Sequence, residues 1–357
     1  FIHELLPHAV ELGYPALALT DHDNLCGAME FARAARSLGV QPIIGAEVTL
    51  SAGVRSPSDK GGHHLTLLVE TRQGYSNLCR LLSIARVISD RREPEVDHSV
   101  LAVHAKGLIL LTGCPRGEVP SLAQQGRLDE SLEAVQRYIH WFGAGNVYLE
   151  LQQNLVRGDT QRNRRLVELA RRLGVGVAAT NNVHYHIRER HQLHDCLVAI
   201  KHLKGLEESH RERRANSEFY LKSPQEMSDL FHQYPEAIAS TLHIAERCAA
   251  FDLTRHLDYR FPSSPVPDGF TQEGYLRHLC EQAAVRRYGP SSSSGLHSLT
   301  ERVRARLDEE FRLIRRHNLA GFFLIYHDII QLAREVMVDL GLSDREIKGL
   351  AEEQVIY

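Results

Sequence analysis

Side chains able to bind a metal ion or a phosphate recur through the first half of the chain: Asp21-His22-Asp23, Glu47, His63-His64, Thr112-Gly113-Cys114, Glu150 and Asn181-Asn182-Val183-His184. Imidazole, carboxylate and thiolate together suit zinc, with manganese or iron where oxygen donors dominate. Each segment alone has a plainer reading. Asp21–Asp23 would serve as an Asx-turn and helix N-cap, His64 as a satisfied turn histidine, Cys114 as a small buried hydrophobe, His184 as a strand cap and His186 as an exposed neighbour. Glu47 resists such a reading, because a carboxylate inside an apolar run costs several kcal/mol unless a cation or donors offset it. Together the segments describe a site for two or three divalent ions. Glu47 could bridge two of them, and two close ions would acidify a shared water and clamp a phosphate ester for in-line attack. Spacing alone points to metal-assisted phosphoester hydrolysis.

The elements that must position these residues alternate. Apolar, β-branched runs at 16–20, 42–50, 65–70, 108–112, 147–151 and 175–180 predict strands, and amphipathic stretches at 2–12, 28–38, 75–89, 130–142 and 160–173 predict helices between them. Short continuous apolar strands, each followed by a helix, indicate parallel strands covered by helices, in either a doubly wound sheet or an α/β barrel. Nearly every predicted strand ends in or adjoins a candidate ligand, and collection at one rim favours the barrel. Beyond Tyr185 helices are predicted at 189–203 and 236–250, and Phe219–Ser223 reads as a strand entering a helix begun by Pro224. A linker at 261–269 contains Pro262, Pro265 and Pro267 and marks a domain boundary. Helices at 271–287, 299–317 and 323–336 follow, with a serine-rich loop at 291–295.

Composition bounds the rest. The 357 residues allow about two domains. With 43% hydrophobic and 24% charged residues the chain is an ordinary globular mixture, which excludes global disorder. No apolar run approaches the roughly 20 residues of a membrane span, so no membrane partner is expected. Six scattered cysteines without a C-x-x-C pair argue against a zinc ribbon or disulfide framework and fit a reducing cytoplasm. A net charge of −3 is silent about nucleic acid, while 21 histidines are an excess that suits metal binding. The chain starts at Phe1 inside a predicted helix, which suggests sequence upstream.

The order of the motifs adds a resemblance. T-D-H-D, P-I-I-G-A-E, H-L-T-L-L-V-E-x-x-x-G-Y-x-N-L, L-L-T-G-C-x-R-G and A-T-N-N-V-H-Y resemble the polymerase-and-histidinol-phosphatase (PHP) domain, specifically that of the bacterial C-family DNA polymerases. The resemblance continues through Ser217–Ser223 and through Leu319–Asp328, which is similar to the family's entry into the palm. The form of 181–186 and the many arginines lean to the error-prone branch. The resemblance implies a distorted (β/α)7 barrel at 1–262, the start of a palm at 263–337 and a thumb-like segment at 338–357 after a junction at Met337–Val338.

By family position His22, Glu47, His64, Cys114 and His184 match metal ligands, and Asn182 stands where an aspartate is usual. The family's opening His-x-His motif and the palm's paired aspartates are not in this sequence, so Asp328 and Asp339 are assigned no catalytic role. The resemblance further implies a DNA-directed DNA polymerase of replication, repair and damage bypass. Its partners would be primer-template DNA and dNTPs, with a sliding clamp and other translesion proteins as further ones. Mg²⁺ would serve polymerisation, and Zn²⁺ or Mn²⁺ the PHP site. The alternatives are a free-standing PHP phosphoesterase, which does not need the helical extension, and a metal-free scaffold. Along 299–317 an apolar stripe opposes six arginines mixed with acids. A solvated, ion-paired face explains most of it, and Arg312, Arg315 and Arg316 are the candidates for DNA phosphates. Arg211–Arg214 reads as an exposed loop, and His191 and His194 as surface or interface residues.

Overall fold

The structure, a computed structural model, describes residues 1–51, 62–89, 93–257, 261–288 and 301–340. The predicted loop at 291–295 and the thumb-like stretch from 341 onward lie outside the described residues. The chain divides into two units, Phe1–Leu257 and Asp258–Tyr357.

In the first unit six strands form one sheet in chain order: β1 (Ala16–His22), β2 (Gln41–Leu50), β3 (His63–Val69), β4 (Leu108–Leu111), β5 (Val147–Gln152) and β6 (Gly176–Thr180). Strictly sequential order is what a barrel wall produces, whereas a doubly wound sheet reverses at a switch point. The sheet curls into a half-barrel, and the α/β barrel followed by a helical region therefore stands, with six strands among the described residues. One expectation fails. β3 runs antiparallel to both β2 and β4, while the other pairings are parallel. The twelve residues between Leu50 and His63 are rich in Gly, Ser and Pro and carry no apolar helical stripe. A parallel return needs a crossover of at least about a dozen residues, usually a helix.

Both sheet faces are buried, which is why the strands read as continuous apolar runs. On one face Ile44, Val48, Leu67 and Leu149 pack with Leu6 of α1 (Ile2–Glu11), Phe31 of α2 (Ala28–Ser37), Leu78 and Leu81 of α3 (Arg72–Ile88), and Leu166 of α7 (Asp159–Leu173). Each fully buried side chain contributes about 1.5–3 kcal/mol. The opposite face is divided along the strands. At one end Ile43, Leu68, Ile109, Leu111, Tyr148 and Ala178 pack with Ile244 and Cys248 of α10 (Pro235–Cys248). Toward the other end the same alternation presents Glu47, His64, Glu150, Gln152 and Thr180.

Two helices were not predicted, α4 (His98–Val103) and α5 (Glu118–Gln125). Glu118 opens α5 and ties it to α6 (Leu128–Phe142), accepting from Tyr138 Oη at 2.6 Å and Arg137 Nη2 at 2.5 Å, with His98 Nε2 of α4 at 3.5 Å. Burial opposes ionisation, but the nearby His98 ring and the hydrogen bonds from Tyr138 and Arg137 outweigh it and lower the Glu118 pKa from 4.5 to about 2. The ionised form is thus favoured in the folded chain. Its contribution is complete above pH 4.5 and is lost as pH falls toward 2. Glu118→Gln should lower stability at pH 7 by about 3 kcal/mol and flatten the acid limb of the stability profile, measured by urea unfolding at several pH values.

After β6 come α8 (His191–Lys201) and α9 (Pro224–Leu230). α9 starts as predicted, with Pro224 in its first turn and a capping box between Ser223 and Glu226. The predicted strand before it is reduced to a single bridge, Tyr185 to Tyr220. In the second unit the proline-bearing linker precedes α11 (Gln272–Tyr288), α12 (Glu301–Arg316) and α13 (Ala320–Asp339). Leu276, Phe311, Ala320 and Leu324 form its small core. α13 continues without a break through Met337–Val338. Among the described residues no helix is long and apolar enough to cross a membrane.

Candidate metal centre

Strand register brings three of the candidate ligands together. His22 lies opposite Glu47 across β1 and β2, and Glu47 lies opposite Thr66 across β2 and β3. His64, two residues before Thr66, shares that face with Glu47. Because β3 is antiparallel, its first residues reach the rim where β1 and β2 end. His64 Nδ1 donates to Glu47 Oε1 at 3.0 Å. The His22 ring lies edge-on to His64, with centroids 4.7 Å apart. One donor atom from each of His22, Glu47 and His64 falls within 4.8 Å of the others. The turn after β4 brings Cys114 Sγ to 3.5 Å from His64 Nδ1.

Asp23 has a larger part than the cap reading gave it. Its Oδ1 accepts from Thr49 N at 2.8 Å, and its Oδ2 accepts from the Thr49 hydroxyl at 2.9 Å and faces His22 Nδ1 at 2.7 Å. Asn24 makes the Asx-turn instead, bonding Cys26 N and His22 O, and Gly27 at the N-cap of α2 offers no side-chain cap. With Nδ1–H given to Asp23, His22 presents Nε2 as its lone-pair nitrogen, the way metal-binding imidazoles are commonly oriented.

Charge in this group is self-consistent. Burial works against ionised Glu47, but the His64 hydrogen bond and the fields of His64 and His22 prevail and lower its pKa. The bond to Asp23 raises the His22 pKa. Burial, then the charge of Glu47, pushes the Cys114 thiol up to about 12. Glu150 is buried and its pKa raised by desolvation, yet its oxygens are occupied by Gly113 N, Gln152 Nε2 and the Thr180 hydroxyl. It braces the strand ends.

His184 and Asn182 sit one step aside. Asn182 has φ +48°, a left-handed conformation that asparagine tolerates better than most residues. Its Oδ1 is 3.2 Å from His184 Nε2. Arg214 Nη2 contacts the same Nε2. Crowding by neighbouring side chains and then the charges of Arg214 and His194 lower the His184 pKa, which keeps the ring neutral. Arg214 is exposed in its loop, as expected, but its guanidinium turns onto His184 and its charge is felt at Cys114 and Glu47. His194, expected at a surface or interface, packs beside this group, its ring centroid 5.2 Å from that of His184. His186 is half-buried, 3.9 Å from Glu4. Nothing in the sequence marked Arg214, because the contact spans thirty positions and follows no local period.

The donor set fits a divalent ion. A tetrahedral ion with ligands at about 2.0–2.3 Å spaces its donors roughly 3.3–3.8 Å apart, so the spread of up to 4.8 Å needs only a small contraction. In the second unit, Arg312 and Arg316 are exposed on α12, whereas Arg315 forks onto Glu273 at 2.9 and 3.0 Å. Asp328 accepts from the Ser264 hydroxyl at 3.2 Å.

Comparison with known proteins gives matches in both units. The PHP domain model matches residues 1–154, and the bacterial DNA polymerase III alpha NTPase domain model matches residues 274–343. An error-prone DNA polymerase of Symbiobacterium thermophilum is 40% identical over 351 residues, 94% of this chain and 30% of that protein. The DNA polymerase III subunit alpha of Treponema pallidum is 35% identical, over 95% of this chain and 29% of its own length. An error-prone DNA polymerase of Mycobacterium tuberculosis is 35% identical over 93% of this chain and 30% of its own. The chain thus spans about 30% of the length of these relatives.

Proposed function

We propose that the chain belongs with the bacterial C-family DNA polymerases, those called DNA polymerase III alpha and error-prone DNA polymerase, and that it serves template-directed DNA synthesis of the error-prone, damage-bypassing kind. The observation that carries this is identity of 35–40% over more than nine-tenths of the chain. The partners are primer-template DNA and dNTPs in the cytoplasm, with a sliding clamp and other translesion proteins as further ones. Mg²⁺ would serve polymerisation, held by paired palm carboxylates that this sequence does not contain. Extension of a primed template by the whole protein that carries this chain tests the reading, and failure to incorporate any dNTP would refute it.

Within that protein the PHP unit is a metal centre built on His22, Glu47, His64 and Cys114, with Asn182 and His184 beside it. Zn²⁺ or Mn²⁺ bound there would act as a Lewis acid toward a phosphate ester and acidify a water. The side chains do the positioning. Asp23 fixes the His22 ring, Glu47 supplies the negative charge, and His64 and Cys114 close the mouth from β3 and the β4 turn. Bound metal with hydrolysis of a model phosphodiester would support a working centre, and neither would support a scaffold.

The protons on these ligands set a pH dependence. Metal must displace a proton from His22, whose pKa is raised by Asp23, and from the Cys114 thiol. Zn²⁺ affinity should therefore weaken steadily as pH is lowered from about 8 to about 6, through the imidazole range, as read by competition with a chromogenic chelator. Asp23→Asn should weaken binding about 10–100-fold at pH 8. A pH-independent affinity would remove His22 from the ligand set.

For α12, Arg312→Ala and Arg316→Ala should each lower the slope of log K against log salt for primed duplex by about 1. Arg315→Ala should change it less, because its guanidinium is already engaged by Glu273. Equal, unchanged slopes in all three variants would discard this face.

A further inference from the structure

We propose that the Arg214 guanidinium fills the cation position at His184, so that the mouth takes metal on His22, Glu47, His64 and Cys114 and none on His184. This rests on the metal-centre reading above. A guanidinium has only N–H donors and keeps its charge. Its contact with His184 Nε2 makes that nitrogen the acceptor and commits its one in-plane lone pair. A metal needs the same lone pair. Asn182, the other group on that side, offers a neutral amide 3.2 Å from His184 Nε2 in place of a carboxylate.

Arg214 is also held in place. Its guanidinium carbon lies 4.9 Å from the centre of the Phe219 ring, a cation–π distance. The carbonyl of the same Phe219 accepts from His184 N at 2.8 Å. One buried residue therefore fixes both partners. From there the guanidinium charge reaches Glu47 and Cys114, and a second dication beside it would meet like-charge repulsion. A side-chain cation thus neutralises the His184 side of the mouth without needing a carboxylate at position 182.

Equilibrium dialysis against Zn²⁺, with bound metal counted by atomic absorption, tests this in the wild type and in Arg214→Met, His184→Ala and the double variant. Circular dichroism checks that each is folded, and Arg214→Gln stands in should the methionine variant fail to fold. The wild type should bind one equivalent, and His184→Ala should keep that equivalent with its Kd changed less than about twofold. Arg214→Met should gain a second, weaker equivalent that His184→Ala removes. Loss of metal, or a Kd weakened more than about tenfold, in His184→Ala alone would overturn the proposal, as would a wild type with two His184-dependent equivalents. So would the absence of a gain when Arg214 is removed. Should the wild type bind no metal at all, the four-ligand centre fails. The Arg214 assignment is then decided separately: a His184-dependent equivalent appearing in Arg214→Met supports it, and none overturns it.

Discussion

Glu47→Ala is expected to weaken Zn²⁺ binding more than about 100-fold, beyond the 10–100-fold typical of groups that only orient ligands. Glu47 is the one carboxylate among the three donors that lie within 4.8 Å of one another. Burial opposes its charge, but the His64 hydrogen bond and the charges of His64 and His22 overcome that burial. The substitution leaves His64 Nδ1 without its 3.0 Å acceptor and removes the anion that offsets a dication. The wild type at a metal concentration 100 times its Kd should gain about 2.7 kcal/mol over the metal-free chain, and Glu47→Ala should gain almost nothing. Thermal unfolding with and without Zn²⁺ reads both values. An unchanged metal increment would take Glu47 out of the centre. Glu47→Gln separates charge from shape, because it keeps an acceptor for His64 but lacks the anion, so its metal increment should also be small.

The strands that carry Glu47 and His64, and the one that leads into the Cys114 turn, were legible because each is a continuous apolar run, and burial on both sheet faces demands such runs. Their convergence was legible only as recurrence. What pairs them is the antiparallel course of β3, and no residue within 63–69 encodes direction. Direction follows from the short stretch before it, rich in Gly, Ser and Pro, where the missing helical stripe was the available signal. α5 was hidden by Pro120 and Gly117, which suggest a loop, although proline is tolerated in a first helical turn where its absent N–H is not needed. α4 is six residues long, too short to show a period. Asp23 was visible as a residue type but not as a partner, since Thr49, which fixes it, lies 26 positions away. Long-range polar contacts of this kind, including Arg214 on His184, depend on the finished fold. A local pattern cannot carry them.

Gly113 is where fold and centre depend on each other most directly, and Gly113→Ala should cost about 3–5 kcal/mol. Its φ of +87° is a conformation that L side chains rarely adopt. An added Cβ would also stand 2.2 Å from the His64 carbonyl oxygen and 3.1 Å from Leu65 Cα. Both neighbours are backbone of β3, so relief requires moving the strand that carries His64. The Gly113 amide donates to Glu150 Oε2 at 3.0 Å, and a displaced turn would leave that buried carboxylate short of a donor. Cys114, the next residue, would move with it. The single tryptophan, Trp141 of α6, lies in the same unit and reports its unfolding by fluorescence in urea. Gly145→Ala is the control, because a Cβ there meets nothing within 4 Å, and its midpoint should stay within about 0.5 kcal/mol of wild type. Gly113→Ala should in addition bind Zn²⁺ more weakly under conditions where it remains folded, since His64 and Cys114 shift together. A Gly113→Ala midpoint matching that of Gly145→Ala would mean the β3 and β4 turns can part without cost, and the close approach would not be what seats these two ligands.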